Sequence, residues 1–196
     1  MMSNDNIDYT GNQFEKCKVL NIPLDACDEI VELLDKQDLE WEEGKVGNVN
    51  GKTVDHEMRK CEVSWVTHTG LKKFLWKYFL AANASYSDWN FDLDTVEDIQ
   101  YTVYKEGVDH YTWHTDSVQT SVNGKCRKLS MTLVLNDDWE GSDFELKKTP
   151  NTPEMKIPLR KGELLVFPSL MNHRVTPLIS GERKVLVAWA WGPLFK

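Results

Sequence analysis

The stretch Ile99-Gln100-Tyr101-Thr102-Val103-Tyr104-Lys105-Glu106-Gly107 alternates in character and closes on a turn dipeptide. In extended backbone successive side chains point to opposite faces, so Ile99, Tyr101 and Val103 share one face and Gln100, Thr102 and Tyr104 the other. Strand character returns at Leu129–Leu135, Leu164–Phe167 and Val185–Trp189. Turn signals separate these runs at Glu106-Gly107, Asn123-Gly124, Glu140-Gly141, Lys161-Gly162 and Ser180-Gly181. This rhythm predicts a mainly β chain of α+β character, with an antiparallel double-sheet jelly roll over about 91–196.

Toward the amino terminus the period changes. Leu24, Cys27, Ile30, Val31 and Leu34 follow Pro23 at helical spacing, and Leu71, Phe74, Leu75, Tyr78, Phe79 and Ala82 follow Gly70 in the same way. Two helices packed on the sheet are expected, so that about 1–90 forms a helical support and 1–196 a single domain. Gly44 to Lys60 is charged and poor in apolar residues, and reads as a mobile loop.

The 196 residues carry a net charge of -8, which argues against wrapping nucleic acid or lying on anionic lipid. The polar, acidic start lacks the pattern of a signal peptide, and no run of eighteen apolar residues occurs. The expectation is a soluble, cytoplasmic protein of a bacterium or its phage. Cys17, Cys27, Cys61 and Cys126 form no C-x-x-C pair, so free thiols are expected rather than a zinc knuckle or disulfide framework.

The chemistry is concentrated in three places. In Tyr111-Thr112-Trp113-His114-Thr115-Asp116, residues two apart point the same way, so His114 and Asp116 can face one metal. H-x-D alone is a weak signal that a surface turn also produces. A second histidine, His173, follows the strand Leu164–Phe167 and a short polar loop. Two imidazoles and one carboxylate make a facial triad that leaves three octahedral positions of Fe(II) open, two for a bidentate 2-oxo acid and one for dioxygen. Arg183 shares a strand face with Val185, Val187 and Trp189, which places a guanidinium at one end of an apolar wall. Burying it requires an anion, and the far carboxylate of 2-oxoglutarate suits a guanidinium fork. The plain alternative is a surface arginine beside Lys184.

From Tyr101 to Trp191 the chain resembles the Fe(II)/2-oxoglutarate-dependent dioxygenases, in particular their prolyl-4-hydroxylase-like branch. The resemblance rests on Tyr104-x-x-Gly107-x-x-x-Tyr111-x-x-His114-x-Asp116, on Leu133-x-Leu135-Asn136-x-x-x-x-Gly141, and on Gly162 to Ser169 leading to His173 and, ten residues later, Arg183. It implies a double-stranded β-helix and His114, Asp116 and His173 as Fe(II) ligands. It also implies Arg183 as the 2-oxoglutarate anchor, with Tyr104 lining the co-substrate pocket and Val175, Val187 and Trp189 as its wall. Dioxygen is the oxidant and ascorbate a candidate reductant. For Tyr104 an ordinary strand aromatic is the competing reading.

By the same resemblance the reaction is hydroxylation of a C–H bond, with prolyl 4-hydroxylation of a peptide or protein favoured. Gly44 to Trp65 lies where relatives carry a loop over substrate. Arg59, Trp113 and Trp191 are the candidates to meet substrate, against plain surface or packing roles. A free amino acid or small metabolite is the alternative substrate, and a non-catalytic metal-binding interaction domain the rival from another class. Two departures from the family pattern concern loop shape: Gly141-Ser142 stands for a paired glycine, and one extra residue separates Gly107 from His114. His56, His68 and His110 are left over as surface residues.

Overall fold

The computed structural model describes residues 16–48, 51–85, 89–105, 107–116, 124–149 and 151–195. In chain order the elements are β1 (Lys18–Asn21), α1 (Leu24–Asp35), β2 (Glu42–Glu43), β3 (Lys45–Asn48), β4 (Gly51–Val54), β5 (Arg59–Lys60), β6 (Glu62–Val66) and α2 (Thr69–Ser85). There follow β7 (Thr95–Val96), β8 (Ile99–Lys105), β9 (His110–His114), β10 (Lys125–Val134), β11 (Trp139–Gly141) and β12 (Phe144–Lys147). The chain closes with β13 (Met155–Ile157), β14 (Glu163–Pro168), β15 (Asn172–Val175) and β16 (Leu178–Pro193).

A large antiparallel sheet runs in the order β1-β14-β10-β16-β8-β6-β2, and a smaller one in the order β13-β12-β15-β9-β5. This is the two-sheet jelly roll expected from the period-two pattern. Strand alternation divides the apolar residues between two cores. Leu164 and Val166 of β14, with Leu186, Ala188 and Ala190 of β16, turn toward the helices. Leu165, Phe167 and Val185 turn toward the small sheet and meet Phe144, Leu146 and Val175 there. Both faces of the central strands are thus covered, which is why they read as nearly continuous apolar runs.

The two helices fall where their stripes place them. Cys27, Ile30 and Leu34 are the buried face of α1, and Leu71, Leu75, Phe79 and Ala82 that of α2. The imidazole Nδ1 of His68 accepts the Leu71 N–H at 3.1 Å, so this leftover histidine caps the start of α2. The four cysteines are free and buried. No described helix is long and apolar enough to cross a membrane.

Three expectations are corrected. The amino-terminal half is more than a helical support: β1, β2 and β6 extend the large sheet and β5 edges the small one. Gly44 to Lys60 forms the hairpin β3-β4, with Lys45 opposite Val54 and Val46 opposite Thr53, and its last two residues pair with β9. Short strands in a charged segment have too few apolar residues to show a period. Residues 49 and 50 lie outside the described set, as do Glu106 and Asn123 of two expected turns.

The third correction concerns Glu140-Gly141 and Ser180-Gly181, which are not turns but the paired strands β11 and β16. Gly181, at φ +80°, is a bend within β16. A Cβ there would lie 2.1 Å from the Asp138 carbonyl oxygen, so only glycine fits. At Gly141, φ +78°, a Cβ would lie 2.7 Å from the Pro177 oxygen.

Ser142 follows with φ +49°, and its Oγ is buried without a hydrogen-bond partner. A non-glycine residue in the left-handed region is strained, and an unpartnered buried hydroxyl adds to the cost. Ser142→Gly is therefore expected to raise unfolding stability by up to about 1 kcal/mol in urea denaturation. A loss of stability would show that the serine hydroxyl has a favourable role.

Candidate active site

Strands β9 and β15 bring the site together. His173 sits opposite His114 and Val175 opposite Tyr111, with a register shift between the two pairs. Thr112 and Trp113 together oppose Arg174 alone, which is the geometry of a β-bulge. The extra residue returns Tyr111 and His114 to one face, where their rings stack 3.4 Å apart between centroids at an interplanar angle of 14°. Trp113, next to His114, points to the opposite face, where Lys147 Nζ and the Arg174 guanidinium lie 4.4 and 4.8 Å from its ring centroid. Trp113, expected to meet substrate, does not line the cavity.

Asp116 lies just beyond β9, tied by its N–H to the Ser169 carbonyl at 3.0 Å. One potential ligand atom from each of His114, Asp116 and His173 lies within 4.8 Å of the other two. Asp116 Oδ1 is 3.7 Å from His114 Nε2, and Oδ2 is 3.4 Å from His173 Nε2. His114 Nδ1 contacts the Thr112 carbonyl at 2.7 Å and His173 Nδ1 the Met171 carbonyl at 3.0 Å. A carbonyl only accepts, so each Nδ1 carries a proton and each Nε2 is the ring nitrogen directed at Asp116. Phe144 and Phe167 pack on the His173 ring at 5.7 and 4.8 Å.

Burial, seconded by His173, pushes the His114 imidazole down to about 3. Burial works against ionisation of Asp116, but His173, His114, Arg127 and the Ser130 hydroxyl outweigh it and hold the carboxyl below its ordinary range. The site therefore presents a neutral His114 imidazole and the Asp116 carboxylate, with the His173 imidazole beside them. That donor set suits a divalent first-row ion with exchangeable positions.

A cavity of about 410 Å³ extends from this cluster between the sheets. Val175, Val187, Trp189, Tyr104 and Arg183 stand among its lining residues. Arg183 is buried, with its Cζ 5.5 Å from the Tyr104 ring centroid and 5.4 Å from that of Trp139. Its Nε and Nη1 have no hydrogen-bond partner among the described residues. Burial lowers its pKa, with only Tyr104 and Asp143 opposing.

Arg59 also lines the cavity, but its guanidinium is engaged. Nε donates to Cys61 Sγ at 3.1 Å, Nη1 to the Lys45 carbonyl at 3.2 Å and Nη2 to Gln100 Oε1 at 2.7 Å. Its Cζ lies 4.6 Å from the Tyr111 ring centroid, completing a stack of Arg59, Tyr111 and His114. Trp191 lines the rim and donates its indole N–H to Glu97 at 2.8 Å. Glu97 accepts two further bonds from Arg127, whose guanidinium lies 3.7 Å from the Trp189 ring centroid. His110 bridges the carbonyls of Val108 and Glu57 and takes no part in the cluster.

Arg127, Glu97 and Ser130 were not singled out from sequence, and Tyr111 and Ser169 entered only as motif positions without a role. The stack depends on a bulge that strand alternation does not reveal. Ser130 did leave a signal, as a hydroxyl in the strand Leu129-Ser130-Met131-Thr132-Leu133, whose two faces are both buried.

Residues 99–191 match the model of the 2OG-Fe(II) oxygenase superfamily. This stretch belongs to that superfamily. Over 83 residues the chain is 37% identical to a PKHD-type hydroxylase of Synechococcus sp. (strain CC9902), which is 41% of this chain and 36% of that protein. The chain thus spans little more than a third of the length of this curated relative. Two solved structures share the fold. A Pseudomonas putida prolyl-4-hydroxylase superposes with TM-score 0.66 at 18% identity, covering 89% of this chain and 91% of that one. A Trichoplax adhaerens prolyl hydroxylase, in complex with a hypoxia inducible factor peptide fragment, gives TM-score 0.67 at 16% identity, covering 90% and 83%.

The neutral, buried His114 makes a pH prediction. The unfolded chain takes up this proton as pH falls through 6.5, the folded chain only near 3. Between these values the unfolded state binds more protons, so stability falls as pH falls. The thermal midpoint of the metal-free protein is expected to drop from pH 6.5 downward, and less steeply in His114→Asn. An equally steep drop in the variant would contradict a buried neutral imidazole.

Proposed function

We propose that the chain is an Fe(II)- and 2-oxoglutarate-dependent hydroxylase in which His114, Asp116 and His173 hold the metal and Arg183 holds the co-substrate. The observation that carries this reading is the pairing of a buried two-imidazole, one-carboxylate cluster with a buried, unpartnered guanidinium in one cavity. An unpaired buried charge costs several kcal/mol, and a ligand carboxylate removes that cost.

When bound, Fe(II) and 2-oxoglutarate supply oxidative decarboxylation with dioxygen and the oxidising power to hydroxylate a C–H bond. The protein's own work is positional. The Nδ1–H bonds to Thr112 and Met171 aim both Nε2 lone pairs at the metal position. Tyr111 holds the plane of the His114 ring by stacking on it, and Phe144 and Phe167 pack on the His173 ring. Val185 and Val187 offer apolar walls that leave a linear diacid one orientation, with one carboxylate at Arg183 and the other at the metal. Tyr104, beside Arg183, contributes a phenol to the same end.

For the substrate we favour a prolyl residue in a peptide. The support is the prolyl hydroxylase names of the structural neighbours, one solved with a peptide, and the rim itself. The cavity lining also carries Trp191, Trp65 and the hairpin residues Lys45 and Lys52, with Glu42 paired to Lys45, an aromatic and polar border suited to an extended chain. Trp191 is its nearest candidate for substrate contact, whereas the Arg59 guanidinium is already bonded at all three nitrogens.

Arg183→Ala is expected to weaken 2-oxoglutarate binding about 100-fold, with metal affinity within about 3-fold of wild type, as measured by calorimetry. Equal loss of both would contradict the assignment of Arg183. With a peptide library, the wild-type protein is expected to form succinate and to add one oxygen to proline-containing peptides. Oxygen added only to free amino acids would replace the peptide reading by the small-molecule one.

A further inference from the structure

The metal ligands of the proposed site are oriented from behind, and the carboxylate has a holder of its own. Ser130 Oγ lies 2.7 Å from Asp116 Oδ2 and 2.9 Å from Ser169 Oγ. Both serines are fully buried, one in the middle of β10 and the other just after β14. A carboxylate oxygen can only accept, so the single Ser130 proton goes to Asp116. The Ser169 hydroxyl is then free to donate to Ser130. The backbone reinforces this chain: the Asp116 N–H donates to the Ser169 carbonyl and the Ser169 N–H to the Lys128 carbonyl, both at 3.0 Å.

We propose that Ser130, backed by Ser169, is a positioning residue that fixes which oxygen of Asp116 is presented to the metal. The Ser130 proton occupies Oδ2 and leaves Oδ1, the oxygen beside His114 Nε2, free of protein donors among the described contacts. Without that proton the carboxylate rotates about its Cβ–Cγ bond and is free to offer both oxygens, consuming a coordination position that the co-substrate requires. A hydroxyl on a strand buried on both faces has no solvent to satisfy it, so its two partners define its orientation. Outer-shell partners of this kind change metal affinity by about 10- to 100-fold.

This inference rests on the metal site proposed above, and the test separates the two. Co(II) is titrated into the purified protein, its visible absorption giving both affinity and coordination, while circular dichroism and thermal unfolding of the metal-free protein report folding. The wild type is expected to bind one Co(II). Ser130→Ala is expected to bind about 10- to 100-fold more weakly with an altered Co(II) spectrum. Ser130→Thr, which keeps the hydroxyl, should restore the wild-type spectrum, and Ser169→Ala should fall between. A folded Ser130→Ala with wild-type affinity and spectrum overturns the role of Ser130. If Ser130→Ala does not fold, Ser169→Ala decides: unchanged binding there overturns the hydroxyl chain. Failure of the wild type to bind Co(II) overturns the metal site itself.

Discussion

The cross-strand pairing of His114 with His173 is the constraint on which the rest of the site depends. Side chains alternate along a strand, so a slip of one residue between β9 and β15 would send one imidazole to the outer face and leave Asp116 with a single partner. Three features hold the register. The bulge at Thr112-Trp113 absorbs one residue, Trp113 packs against Arg174 and Lys147, and Tyr111, with Arg59 on it, stacks on His114. The small sheet is therefore a frame for two imidazoles, and the large sheet supplies the cavity floor and the helix-packed core that keeps it rigid.

The arginines and acids described around the cavity have hydrogen-bonding protein partners, with Arg183 the exception among them. Arg127 is held bidentately by Glu97, and Arg59 is engaged by three neutral acceptors. Asp116 lies against two imidazoles and a serine hydroxyl. Arg183 alone among the arginines named here keeps two nitrogens buried and unpartnered. A protein does not retain such a cost in a packed interior without return, and a ligand carboxylate is the natural complement. The same reasoning explains why Arg59 is more a strut for the β3-β4 hairpin than an open hand: its bond to the Lys45 carbonyl ties that hairpin to the stack over His114.

Much of this architecture was legible because each signal is local. Period-two runs placed the central strands, helical stripes placed α1 and α2, and alternation in β16 put Arg183, Val185, Val187 and Trp189 on one wall of the cavity. What was hidden depends on pairing between distant segments. The stack of Tyr111 on His114 was hidden because a bulge is set by the partner strand and not by its own sequence. The strands of the amino-terminal half were hidden because two- and four-residue edge strands in charged sequence carry no readable period. The Gly181 dipeptide misled because a positive φ serves a bend inside a strand as well as a turn. Ser130 and Ser169 meet only in three dimensions, from β10 and from the loop after β14.

The most direct measurement is anaerobic addition of Fe(II) and 2-oxoglutarate to the protein, followed by visible absorption. A charge-transfer band that appears only when both are present, and that is absent in a folded His173→Ala, is the expected result. No band in the wild type, or the same band in His173→Ala, would contradict a ferrous site built from His114, Asp116 and His173.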